Sequence, residues 1–201
     1  MGKGSISLAA ALLAFVCAPI AARADSEFSV VLQGGAAQYN RDLAGSTDVG
    51  AEYGLRFGIM PTPIVGVELG YLGTQNNVKN TLTSNGNAQR LITNGALADL
   101  RVNLIPGAVT PYVFGGYGLT NFKVDNEVID NNGGLHGRTV STIPFGGGIE
   151  GNIGAFKLGA RFQYNYLLTD QLFRRQSNGN VSTGNNTDFY GVSVDLGASF
   201  R

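Results

Sequence analysis

Between Pro144 and Gly154 the chain reads Pro-Phe-Gly-Gly-Gly-Ile-Glu-Gly-Asn-Ile-Gly, and Gly146 to Gly151 spell G-x-G-x-x-G. Glycines at that spacing cradle a pyrophosphate when they join a buried parallel strand to a helix N-terminus, with an acid about 20 positions further on. A second candidate is His136, the only histidine, in Gly133-Gly-Leu-His-Gly-Arg138; a histidine held against a serine would support acyl transfer. A third is Asp125-Asn-Glu-Val-Ile-Asp-Asn-Asn-Gly133, rich in the oxygen donors that calcium prefers. A fourth is the scattered set Glu52, Arg56, Glu68, Asp99, Arg101, Glu150, Lys157, Arg161 and Asp195, which would serve either as an ion path or as a self-neutralising interior. Arg174 and Arg175, after Phe173, could meet phosphate groups such as those of lipopolysaccharide, or could simply be a solvated basic pair at a strand end. Which of these is real depends on the elements that carry them.

Charged residues make up 14 % of the 201, acids and bases balance at 14 each, and there are 30 glycines. That leaves no basic face for nucleic acid, and glycine is far above its usual share of about 7 %. The composition is that of a β protein in one domain. The first 24 residues are set aside: Lys3 provides a positive start, Ile6 to Ile20 an apolar run, and Ala22-Arg23-Ala24 a cleavage site. The run is shorter than the roughly 20 residues of a spanning helix, so residues 1–24 read as a cleaved signal peptide and the mature chain as beginning at Asp25. The only cysteine, Cys17, lies inside that segment and follows Val16 where a lipoprotein signal would have a small residue, so neither a disulfide, a redox centre nor a lipid anchor is expected.

From Val49 the chain alternates: Val49, Ala51, Tyr53, Leu55, Phe57 and Ile59 share one face, Gly50, Glu52, Gly54, Arg56 and Gly58 the other. Period 2 specifies a strand. The pattern recurs in Val65 to Tyr71, in Lys157 to Tyr166 and in Tyr190 to Phe200. Eight strands result, at about 27–39, 48–60, 64–75, 91–105, 111–123, 139–151, 155–168 and 188–200. Connections at 60–63, 106–110 and 152–154 are tight, whereas 40–47, 76–90, 124–138 and 169–187 are long and polar. Long strands in even number with alternately short and long connections specify an antiparallel up-and-down transmembrane β-barrel, residues 25–201, with termini and short turns in the periplasm. A soluble barrel such as a lipocalin would turn the apolar face inward; it is opposed by the glycines interleaved with charge, which suit a narrow lumen, and by aromatics at strand ends on the apolar face, Tyr53, Tyr71, Tyr166, Tyr190 and Phe200, although tryptophan is absent.

In that frame the G-x-G-x-x-G is accidental, because it runs into a tight turn and another strand, not a helix. The calcium loop fails as an EF-hand, since alignment on Gly133 puts Val128 at the first ligand position. Phe114-Gly-Gly-Tyr-Gly118 lies in strand five with either face able to point outward.

With its leader, its eight alternating strands, Pro111-Tyr-Val-Phe-Gly-Gly-Tyr-Gly118 and the last strand Tyr190-Gly-Val-Ser-Val-Asp-Leu-Gly-Ala-Ser-Phe200, the chain resembles the small OmpA/OmpX-like outer-membrane β-barrels. The resemblance implies a barrel without a peptidoglycan-binding domain, and a terminal strand read by the barrel-assembly machinery, here with Phe200 followed by Arg201. A lipid A deacylase of this fold would carry a His-x-Ser pair; Arg138 stands at the serine position and Ser141 is further off, so no catalytic residue, cofactor or metal is expected. The expected partners are outer-membrane lipid, lipopolysaccharide, the assembly machinery and an unidentified surface ligand, and the expected state is a monomer. A non-enzymatic envelope-structural or surface-binding barrel is the leading reading, a narrow or gated pore the alternative, and a lipid-modifying enzyme the third.

Overall fold

The computed structural model describes residues 26–40, 47–77, 90–125, 138–168, 174–177, 180–183 and 188–200. The expected signal peptide, His136 and most of the Asp125–Gly133 loop lie outside them.

The strands are β1 (Glu27–Tyr39), β2 (Gly50–Met60), β3 (Val65–Asn77), β4 (Arg90–Asn103), β5 (Val109–Asp125), β6 (Arg138–Ile153), β7 (Phe156–Leu167), β8 (Arg174–Ser177), β9 (Asn180–Thr183) and β10 (Phe189–Phe200). Eight of them close a barrel in the order β1-β10-β7-β6-β5-β4-β3-β2, while β8 and β9 form a separate hairpin in the connection from β7 to β10. Every neighbouring pair is antiparallel, and β1 pairs with β10 from Phe28↔Phe200 to Tyr39↔Phe189. The observed ends fall within a few residues of those the alternation gives. The β8–β9 hairpin is an addition, since its polar residues carry no alternating apolar face to announce a strand.

The three connections at one end are short. In the turn from Ile153 to Phe156, Gly154 adopts a φ of 63°, a left-handed conformation that glycine takes without penalty. The N-terminus of β1 and the C-terminus of β10 meet at this same end, where Ser199 N donates to Ala155 O at 2.7 Å.

Side chains sort as the alternation requires, with the apolar set outward. Leu32, Leu69 and Leu196 are 60 %, 57 % and 59 % exposed, whereas Arg161 and Asp195 are each 2 % exposed. That inversion of the soluble pattern rules out the lipocalin-like reading, because such a wall is stable only against hydrocarbon. Among the described residues no helix is long and apolar enough to cross a membrane, and the crossing is made by strands.

Two local features depart from regularity. In β5 the inward face is Thr110, Tyr112, Phe114, Gly116, Gly118, Thr120 and Phe122, which settles the strand whose sequence fits either orientation. Between β5 and β6 the register holds from Val109↔Gly151 to Phe122↔Arg138, yet the ladder lapses at Gly116 and Tyr117, opposite Pro144 and Ile143. Proline has no N–H, and in this register the absent donor faces the Gly116 carbonyl. The lapse is a single missing hydrogen bond and not a bulge, because the pairing resumes without a shift.

Candidate functional site in the barrel lumen

All nine lumen residues expected from the sequence point inward, from Glu52 and Arg56 on β2 to Asp195 on β10. Eight of them form one connected lattice. Glu68 on β3 is its hub. It accepts from Arg161 Nη1 at 2.8 Å and Arg101 Nη1 at 3.1 Å, and lies 4.0 Å from Arg56 Nε. Arg161 also donates to Asp99 at 3.1 Å and to Gln163 at 3.2 Å. Arg101 forks onto both carboxylate oxygens of Glu150 at 3.1 Å, and Arg56 donates to Asp195 at 2.5 Å. Lys157 joins Glu150 and Glu27, each at 2.7 Å. Two-pronged, multiply shared bonds of this kind are what a buried charge needs to offset its desolvation.

Beneath the two most connected arginines lie rings that the sequence reading did not place. The Arg161 guanidinium sits 3.3 Å from the centre of the Phe114 ring, and that of Arg101 3.8 Å from the Tyr112 ring. Planar guanidinium over an aromatic face is favourable, the more so away from water. These rings explain the glycines of the opening motif. In the register Phe114 lies opposite Gly146 and Tyr112 opposite Gly148; a Cβ at position 146 would collide with the Phe162 carbonyl oxygen and come within 2.9 Å of the Phe114 ring, and one at 148 would come within 2.5 Å of the Ala160 carbonyl oxygen and 2.6 Å of Tyr112. The G-x-G is therefore a bed for two rings, each of which carries an arginine.

Glu52 stands apart. Its hydrogen bond is from Gln33 Nε2 at 3.3 Å, its Oε2 is buried with no protein partner, and it makes none of the lattice's ion pairs. Its carboxylate lies directly over Gly191 on β10, where any Cβ would collide with it. A Cβ at Gly70 would lie 3.2 Å from the Arg56 stem, and the glycine that accommodates Glu52 is Gly191.

Towards the loop end the lumen changes character. Tyr39, Leu72, Leu91, Leu97, Phe122, Val140, Leu167 and Phe189 form a buried apolar cluster across its width. The rings of Tyr39 and Phe189 are 5.5 Å apart, and Phe122 meets Phe189 edge-on at 6.5 Å. Hydroxyls lie among them: Tyr39 Oη bonds with Thr93 and, at 3.3 Å, with Thr74, and Thr142 donates to Thr120 at 2.7 Å. This cap was missed in the sequence because apolar residues were assigned to the outer wall. Its signal is the adjacent pairs Tyr71-Leu72, Leu167-Leu168 and Phe189-Tyr190, in which both faces of a strand are apolar at once. At the opposite, short-turn end a vestibule of about 350 Å³ opens beneath the lattice, lined by Glu27, Met60, Arg101, Glu150, Asn152 and Lys157.

The remaining candidates lie elsewhere. Arg174 and Arg175 are in β8, paired with Thr183 and Ser182; their side chains, like His136, fall outside the described structure. Among the described residues no group of three or more His, Cys, Asp or Glu is placed to hold a metal ion.

In fold the chain is similar to several solved barrels. Neisserial surface protein A matches over 86 % of this chain and 97 % of its own, with 17 % identity and a TM-score of 0.60. Ail of Yersinia pestis, solved in complex with the heparin analogue sucrose octasulfate, matches over 87 % and 99 %, with 14 % identity and a TM-score of 0.56. The N-terminal β-barrel domain of Pseudomonas aeruginosa OprF matches over 86 % and 97 %, with 15 % identity and a TM-score of 0.51. No protein of curated function matches the sequence. Residues 8–200 match the family described as the outer membrane protein beta-barrel domain. An inside-out wall, a charged lumen and that match over nearly the whole chain lead to one conclusion: this is a protein of the outer membrane, and it belongs to the outer membrane protein beta-barrel family.

Proposed function

We propose that this barrel is a non-enzymatic, non-conducting anchor, which holds four polar loops at the cell surface for an envelope-structural or binding role. The observation that carries this reading is the double obstruction of the lumen: the ion-paired lattice crosses it at one level and the apolar cap at another. Eight strands leave a lumen that side chains can fill, so no continuous water path is needed to explain the interior. The loops then remain as the part of the molecule free to meet partners. Arg174 and Arg175, which begin the β8–β9 hairpin, are proposed to contact anionic groups there. Ail, solved with a sulfated saccharide analogue, offers an example of this fold with an anionic ligand.

A narrow pore is the second reading, favoured by the vestibule at the short-turn end. Planar-bilayer conductance of the refolded mature chain, residues 25–201, separates the two. A silent bilayer is expected, with insertion of folded protein shown by its heat-modifiable gel mobility. Steady ion-selective steps would overturn the anchor in favour of the pore.

A further inference from the structure

Among the strand residues whose side chains are described, the outer wall of the barrel carries only two charges, Arg90 on β4 and Lys123 on β5, both exposed. Every acid and every other base described on the barrel strands points into the lumen. The two cations are also neighbours. Lys123 lies opposite Ile92 and Arg90 opposite Asp125, so Arg90 and Lys123 are diagonal partners on the same face, about 7–8 Å apart along the sheet.

Their height matters as much as their charge. From Leu104, just past the end of β4, to Asn94 the rise is about 25 Å at about 3.3 Å per residue and about 40° of tilt, the thickness of an outer-membrane apolar band. Asn94 sits at its upper edge, where Tyr71 Oη donates to it at 2.5 Å, and Asn121, opposite Asn94, donates to Thr139 at 3.0 Å. Lys123 and Arg90 stand just above that edge, in the headgroup layer of the outer leaflet. Among the other described residues at the rim, Tyr190 donates to Gln38 and Tyr164 to the acid Asp188.

We propose that Arg90 and Lys123 clamp the phosphate groups of a single lipopolysaccharide molecule on the β4–β5 side of the barrel. Guanidinium and ammonium differ in a way that suits this: the first binds a phosphate with two parallel hydrogen bonds, the second follows it as a point charge. Two cations at one azimuth would hold one lipid and leave the remaining circumference to exchange freely. The inference rests on the outer wall and not on the closed lumen, so a conducting barrel would overturn the anchor reading and leave this one standing.

The test uses the chain purified from outer membranes in mild detergent, rough-type lipopolysaccharide, and the same lipopolysaccharide with its phosphates removed. The wild type is expected to bind the intact lipid, and the double variant R90Q/K123Q to bind it about tenfold or more weakly, as expected for loss of charge-assisted contacts. The double variant should keep its heat-modifiable mobility, because both side chains are exposed. Equal binding by wild type and R90Q/K123Q, undiminished binding of the dephosphorylated lipid, or no binding by the wild type would each overturn the clamp.

Discussion

At the scale of single residues, the lumen is organised by pairs that the one-dimensional pattern cannot express. The alternation told which charges face inward, but not that Arg161 rests on Phe114, or that Phe114 in turn needs Gly146. Phe114-Gly-Gly-Tyr-Gly118 offers an aromatic and a glycine to either side, so only the groups waiting across the lumen decide its orientation. Two substitutions test this stacking. Arg161→Met leaves Glu68 and Asp99 with less compensation and is expected to cost about 3–5 kcal/mol. Gly148→Ala pushes a methyl into the Ala160 carbonyl and the Tyr112 ring and should cost about 1–3 kcal/mol by overpacking. Both are read from the urea midpoint at which heat-modifiable mobility is lost; an unchanged midpoint for Gly148→Ala would mean that the ring has room elsewhere.

At the scale of elements, the eight barrel strands were legible because each must present one face to hydrocarbon, a constraint that leaves a two-residue period whatever the rest of the sequence does. The β8–β9 hairpin, outside the closed sheet, lacks that imprint. The apolar cap was hidden for a related reason: near the loop end both faces of β3, β7 and β10 are apolar, and alternation is lost where it would be informative. Arg90 and Lys123 escaped because they fall at the ends of the strands, where the sequence does not say whether a residue belongs to wall or loop. Pro144 gives the elements their own test. Pro144→Ala restores a donor opposite Gly116 and is expected to stabilise the barrel by about 1 kcal/mol, with the new amide protected from hydrogen exchange. An unprotected amide at 144 would show that the lapse has another origin.

At the scale of the whole molecule, the proposed anchor makes the lattice and the cap two seals in series, and series logic makes a specific prediction for conduction. Arg56→Ala alone should leave the barrel silent, because the apolar cap still excludes ions, and Phe122→Ala alone should be silent because the lattice remains. Only the combined variant is expected to show steps in a planar bilayer. Conduction by Arg56→Ala alone would make the cap permeable and the lattice the sole gate. The pairing of β1 with β10 has a different kind of consequence. Seven of the eight seams join strands adjacent in the barrel's own order along the chain and can zip as local hairpins, or nearly so across the β8–β9 excursion. The eighth brings Phe28 to Phe200, and its loop-closure entropy is the largest of all. The circle is therefore completed only when β10 reaches β1: until then β1 remains an open edge in search of a partner, and the chain must be kept from finding one in another molecule.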